Sequence, residues 1–459
     1  MPDSRSPRAA RRRGRDATRL VVTLLLPLAA VPSLAAQAPA ARRVSLGDVV
    51  RLATEQNAGV EVAHARTAQA AARIRLRRAD LLPNISASAV EAGRTFNTAT
   101  LGFAFRGADG SSFFNPDGEV LGPVLSTDLR ARVSQVLFDA GALERLRVAR
   151  TAATAAGTEA DVAAERAAGQ AAAGYVRLLR ADAQIAARRA DSTLAADLLG
   201  IAQDQLTAGV GVALDVTRAR SQAAQIRAQQ VAARLERDRA ALELSRILGL
   251  APDERLIAAD SLAALALPET APRDLDLAVA QRPDIRALDA QLVTATQAER
   301  AIRRDKLPTL SAFGDHGPIA GDGTSYLRTY SWGVQLSVPI FAGFRNEGRL
   351  EEQAAARHEL EVHRRDLARQ VGLDVRGARD ELAATREQLD AARERVALAD
   401  QELAQARERF RAGVSGNADV VTASLGLNAA RTLVIDALTA WHVARISLAR
   451  AQGDARSLR

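Results

Sequence analysis

The 459-residue chain contains no cysteine. That excludes disulfides, thiolate metal sites, cysteine nucleophiles and a lipid anchor on an N-terminal cysteine. Proline is absent where it would matter most. Of fifteen prolines, none falls between Pro123 and Pro252 and none follows Pro339. Proline breaks a helix interior, so these two stretches, rich in alanine and arginine, read as long helices rather than a string of globular domains. Aromatic residues make up only 3% of the chain. Beyond the N-terminal segment there is no long apolar run, so no helical membrane span is expected. Chemistry is equally thin. The five histidines are His64, His316, His358, His363 and His442. His358 and His363 share a predicted helix but, five apart, point to different faces. All five read as surface or interface residues. There is no His-Glu-x-x-His, no phosphate-cradling glycine loop and no nucleophile elbow. No catalytic residue, metal site or cofactor is therefore expected.

The net charge of +8 is unevenly spread. Residues 1–38 hold seven arginines against Asp3 and Asp16, so five of the eight surplus charges sit there. Arg11, Arg12, Arg13, Arg15 and Arg19 form a basic run, and Leu20 to Val31 an apolar one too short to span a bilayer. Small residues follow, with Ser33-Leu34-Ala35 or Leu34-Ala35-Ala36 as cleavage candidates. A secretory signal over 1–36 is expected. Elsewhere arginines and acids are interleaved, which reads as solvated helix faces laced with i,i+4 pairs, not as a nucleic-acid footprint.

What is present is a repeat. Leu52-Ala53-Thr54-Glu55-Gln56-Asn57 is echoed by Leu277-Ala278-Val279-Ala280-Gln281-Arg282, and Leu82-Pro83-Asn84-Ile85-Ser86 by Leu307-Pro308-Thr309-Leu310-Ser311. Phe138-Asp139-Ala140-Gly141 resembles Phe341-Ala342-Gly343. Leu206-Thr207-Ala208-Gly209-Val210 pairs with Phe410-Arg411-Ala412-Gly413-Val414, and Asp215-Val216 with Asp419-Val420. Each half therefore runs helix, strand pair, long helix, Gly-Val turn, returning helix. The expected organisation is a first repeat over 44–255, a linker over 256–273, a second repeat over 274–453 and a tail over 454–459. The longer insert of the first half, Phe96 to Val124, reads as a surface loop.

The helical pattern is unbroken from about Ala142 to Leu206 and from Leu350 to Phe410, roughly 100 and 90 Å at 1.5 Å per residue. Helices of that length are stable only with a stripe buried along the whole rod, as in coiled coils. Each half would form an antiparallel hairpin turning at Gly209 or Gly413, where glycine accepts a positive φ. Twelve of the fifteen aromatics lie in the strand windows 84–138 and 309–344: Phe96, Phe103, Phe105, Phe113, Phe114, Phe138, Phe313, Tyr326, Tyr330, Trp332, Phe341 and Phe344. Aromatic girdles at strand ends mark membrane barrels. The clearest strand is Tyr330–Ile340, where Tyr330, Trp332, Val334, Leu336, Val338 and Ile340 alternate with Ser331, Gly333, Gln335, Ser337 and Pro339. Period two over this length suits a membrane strand with one face to lipid. Leu129, Ala131 and Val133 alternate with charged and polar neighbours in another. Four strands cannot close a barrel, and lipid tolerates no open edge. Further copies must complete it, and two, three or four would each close.

The ordered, duplicated set of Leu-Pro at Pro83 and Pro308, Phe-x-x-Gly at Phe138 and Phe-x-Gly at Phe341, paired Gly-Val turns and Asp-Val at 215 and 419 resembles the TolC-type outer-membrane efflux family over about Val44 to Gly453. The fold class expected is thus an α+β membrane protein, with long antiparallel helical hairpins and four membrane strands per chain. The resemblance implies a homotrimer with a twelve-stranded barrel in the outer membrane and a helical tunnel in the periplasm. An inner-membrane pump and a periplasmic adaptor would dock at the tips, near Gly209 and Val210 and near Gly413 and Val414. The family's closing acid is matched by Asp419, while Thr422 stands at the second acid position. Asp215 matches the acid of the family's latch, but Phe410 and Ser415 replace its tethering pair, so Phe410 is expected to pack rather than hydrogen-bond. The alternative is a periplasmic coiled-coil adaptor without a barrel.

Overall fold

The computed structural model describes residues 42–101, 118–267, 279–321, 323–412 and 414–458. The expected signal segment 1–36, Phe103, Phe105, Phe113, Phe114 and Gly413 lie outside the described residues.

A short strand β1 (Arg42–Val44) leads to Ser45, whose hydroxyl accepts from the Asp48 N–H while Asp48 reaches back to the Ser45 N–H. This reciprocal cap starts α1 (Leu46–Gln56). Asn57 caps α2 (Ala58–Ala79) in turn. Pro83 holds the residue before it out of the helical region, and the chain enters β2 (Asn84–Asn97). β3 (Val120–Phe138) pairs with it antiparallel, Phe96 opposite Leu121 and Asn97 opposite Val120. Both ends of the loop expected over Phe96–Val124 are therefore strand.

Asp139 caps α3 (Ala140–Thr207), a single helix of 68 residues, and α4 (Ala213–Leu248) returns alongside it. After β4 (Leu256–Ala258), the second half repeats the order. It consists of α5 (Pro283–Arg304) with proline at its first position, β5 (Thr309–Gly321), β6 (Leu327–Ser337), α6 (Arg345–Arg411) of 67 residues, and α7 (Asn417–Ala451). Each returning helix is about half as long as its partner. The first half of α3 packs against α2 and α5 instead, so every part of the rod has a neighbour. α7 is the one described helix long and apolar enough to cross a membrane by length and composition, which the sequence reading missed, and it packs along α6 and α3.

Alanine is the commonest buried residue of α3, including Ala164, Ala167, Ala168, Ala171 and Ala172, which lets the helices approach closely. The larger side chains gather where α1, α3, α4 and the β4 region meet, among them Val49, Leu178, Leu179, Leu244 and Leu248. The described part of the segment expected as a linker, residues 256–267, is built into this core. β4 lies parallel to β1, and Leu262, Leu265 and Leu267 beyond it are buried.

The long strands form one antiparallel sheet in the order β2-β3-β5-β6. The two repeats therefore meet at β3 and β5, and β2 and β6 are edges. One expectation needs correction. β6 begins three residues before Tyr330 and ends at Ser337, so Val338, Pro339 and Ile340 lie beyond the strand. Pro339 has no N–H for the ladder and restricts Val338 before it. Gly343 and Phe344 then turn the chain into α6 with φ of 62° and 60°.

Candidate functional site

The sheet has two unlike faces, set by its register. Ile85, Val133, Gly314 and Trp332 stand in one row across all four strands, followed by Ala87, Ala131, His316 and Tyr330. On β6 this face carries Tyr330, Trp332, Val334 and Leu336, all strongly exposed, with Trp332 at 78%. The opposite face carries Ser86, Arg132, Asp315 and Ser331 in one row. There Arg130 donates to Asp128 at 3.1 Å, to Asp315 at 2.5 Å and to Thr329 at 3.3 Å, while the Ser331 hydroxyl donates to the other Asp315 oxygen. Three strands are thus clamped by one guanidinium. A charge on the lipid side of a membrane strand costs about 2–4 kcal/mol near the midplane. In a membrane, that cost would favour the arginine face toward water and the tryptophan face toward lipid. Gly317 sits where β5 crosses β3 most closely, since a Cβ there would lie 1.9 Å from the Leu129 carbonyl oxygen.

Where the sheet meets the helices, a charged cluster joins the two repeats. Asp139 accepts from the Ala142 N–H at the start of α3 and pairs with Arg145 at 3.0 Å. Arg145 also pairs with Asp305, which pairs with Arg349 at 3.1 Å, and Lys306 meets Glu347 at 2.6 Å. The sequence reading missed this cluster. Its signal was the acid beside each strand junction, Asp139 after Phe138 and Asp305 before Leu307-Pro308.

At the far end of the rods, Gly209 adopts φ of 74° and turns the chain from α3 to α4. Val210 is 80% exposed and Val414, on the second turn, 70% exposed. Among the described residues, the three expected to form a gate make no hydrogen bond or ion pair with one another. Asp215 lies in the first turn of α4, 3.8 Å from Arg218. Asp419 lies exposed in the first turn of α7, at the favourable end of that helix dipole. Phe410 is buried and belongs to one core cluster with Leu194, Leu198, Leu403, Val420 and Ala423, drawn from α3, α6 and α7. The link between the tips is instead made by fully buried Asn417, whose side-chain amide donates to the Asp215 carbonyl at 3.2 Å.

Higher up the rods, Asp191 is fully buried between Arg188 at 3.1 Å and Arg431 at 3.0 Å. Burial holds its carboxyl above the usual aspartate value, with both arginines opposing that shift. In the central core the Tyr175 hydroxyl lies 2.7 Å from Asp260 and 3.0 Å from the Val44 carbonyl. His442 corrects the surface reading of the histidines. It is 1% exposed, with Nε2 3.0 Å from the Leu262 carbonyl, and burial holds its pKa below the usual 6.5. Among the described residues, no cluster of three His, Cys, Asp or Glu side chains could hold a metal ion.

A two-faced sheet with open edges, set on paired rods about 100 Å long, is a recognised combination. The family model described as outer membrane efflux protein matches residues 49–250 and 275–454. The alkaline protease secretion protein AprF of Pseudomonas aeruginosa is 29% identical over 284 residues, and the match spans 58% of this chain and 58% of AprF. Among solved structures, a membrane protein from Pseudomonas aeruginosa is 21% identical with a TM-score of 0.74, covering 89% of this chain and 93% of that one. The CmeC outer membrane channel of Campylobacter jejuni is 18% identical with a TM-score of 0.73, covering 89% and 86%. The outer membrane protein VceC of Vibrio cholerae is 18% identical with a TM-score of 0.70, covering 89% and 96%. The duplicated helices, the sheet joining the two halves and the matched segments together place this chain in the outer membrane efflux protein family.

Proposed function

We propose that three copies of this chain form an exit duct in the outer membrane, serving a tripartite efflux or type I secretion assembly. The observation that carries the reading is the sheet. Its edges β2 and β6 are open, one face is apolar and exposed, and the other holds the Arg130–Asp315 clamp. In lipid each unpaired backbone group costs several kcal/mol, so β6 of one copy pairs with β2 of the next. Three copies give twelve strands, the number that the family resemblance implies. The helical rods continue the barrel into the periplasm as a tunnel. The exposed valines at the tips, Val210 and Val414, with Gly209 at the first turn and Gly413 in the matching motif of the second repeat, offer the docking surface for a periplasmic adaptor, and an inner-membrane pump supplies the energy. Asp419, Asp215 and Phe410 belong to the closing region, with Phe410 acting by packing. The AprF likeness favours export of a polypeptide as one cargo class.

Fractionation with reconstitution tests this. The expected result is an outer-membrane trimer that survives SDS until heated and conducts ions in a planar bilayer. A soluble periplasmic protein without conductance would overturn the reading.

A further inference from the structure

We propose that Arg132 is a selectivity-determining residue of the duct, an open cation of the barrel wall that anionic groups of passing solutes meet. The inference rests on the exit-duct reading, because it needs the polar face of the sheet to line a water-filled lumen.

The register puts Ser86, Arg132, Asp315 and Ser331 in one row on that face. Arg132 stands directly opposite Asp315 on the neighbouring strand, the obvious partner for it. Asp315 is already engaged, one oxygen by Arg130 and the other by the Ser331 hydroxyl. Arg130, two residues along β3, divides its donors among Asp128, Asp315 and Thr329. Arg132 thereby adds only its charge to Asp315, without a bond to it. Among the described residues it makes no hydrogen bond or ion pair, and it is exposed.

The two arginines are chemically alike and do different work. Arg130 is a fastener between strands. Arg132 keeps a planar five-donor fork, permanently charged, whose geometry matches a carboxylate or phosphate. Charge balance sharpens the point. Asp128 and Asp315 against Arg130 and Arg132 make this stretch of wall neutral, and removing Arg132 alone would leave it acidic. Low-dielectric walls focus such fields onto the lumen, and three copies bring three such forks to one level of the barrel.

The test uses the full oligomer in a planar bilayer under a KCl gradient, with the reversal potential as readout. Arg132→Gln is expected to raise the potassium-over-chloride permeability ratio about two-fold or more, and Arg132→Glu to raise it further, while the heat-resistant oligomer persists. Because Arg132 makes no hydrogen bond or ion pair among the described residues, the glutamine variant is the milder probe of folding. Conducting variants whose reversal potentials equal that of the wild type would overturn the role of Arg132 and leave the duct standing. A wild-type oligomer without conductance would overturn both.

Discussion

Asn417 reaches from the first turn of α7 to the first turn of α4, where its amide donates to the Asp215 carbonyl at 3.2 Å. It is the one described hydrogen bond between the start of one returning helix and the start of the other. Replacing it with alanine removes about 1 kcal/mol of inter-hairpin attachment. If the tips close the duct, Asn417→Ala will raise the mean conductance of the reconstituted oligomer. Conductance equal to wild type would show that closure does not depend on this contact.

Phe410 sets the packing of the same end. It is buried in a core cluster drawn from three helices. Phe410→Ala leaves a cavity costing about 3–5 kcal/mol, confined to the last turns of the rods. Limited proteolysis should cut the tips faster while heat resistance of the oligomer, a property of the barrel, stays the same. Equal rates of cutting would refute a packing role.

His442 gives a pH dependence whose sign follows from its burial. Its folded pKa lies below 6.5, so below that pH the unfolded chain binds more protons than the folded one. The stability contributed is complete above about 6.5 and is lost as pH falls through the folded value. His442→Gln stays neutral and can still donate to the Leu262 carbonyl. Its melting temperature should fall less than that of the wild type between pH 7.5 and 5. Parallel curves would assign the acid sensitivity to other groups.

The two faces of the sheet predict opposite tolerance to charge. Trp332→Arg places a guanidinium on the apolar face and should cost about 2–4 kcal/mol, seen as loss of the heat-resistant oligomer. Gln335→Arg, three residues away on the polar face, should assemble normally. Equal loss in both would mean that the faces are assigned wrongly.

Gly317 tests the crossing of β5 over β3. A methyl group there meets the Leu129 carbonyl, part of the backbone, which cannot rotate away. Gly317→Ala should lower the yield of heat-resistant oligomer sharply, whereas Gly348→Ala, with open space around its Cα, should not. Full assembly of the Gly317 variant would show that the strands can part at little cost.

The rods were legible because their signal is local and long. The absence of proline and the weight of alanine place α3 and α6 to within a few residues. Alternation likewise exposed Tyr330 to Leu336, and failed at Val338 and Ile340 because hydropathy keeps alternating through a proline that the ladder cannot accept. What escaped were contacts between distant positions. Arg431 lies 240 positions from Asp191, and nothing in the run Arg188-Arg189-Ala190-Asp191 separates a buried acid from a solvated one. Asn417 looked like an ordinary residue at a helix start. Leu262 and Leu265 sit in a stretch with no helical or strand period, so only the fold reveals that they are core.

The parallel pairing of β1 with β4 bears on the order in which the protein can form. Arg42 and Glu254, beside these strands, are 212 positions apart, and the Tyr175 hydroxyl touches Val44 and Asp260 together. The first described residues thus find their places only after the whole first repeat has been made and its hairpin has turned back. Closing so long a loop is slow, because the chain entropy is lost before the contact is gained. Formation of α3 and α4 would come early and this clasp late, making the central core the last part of the first repeat to become resistant to proteases.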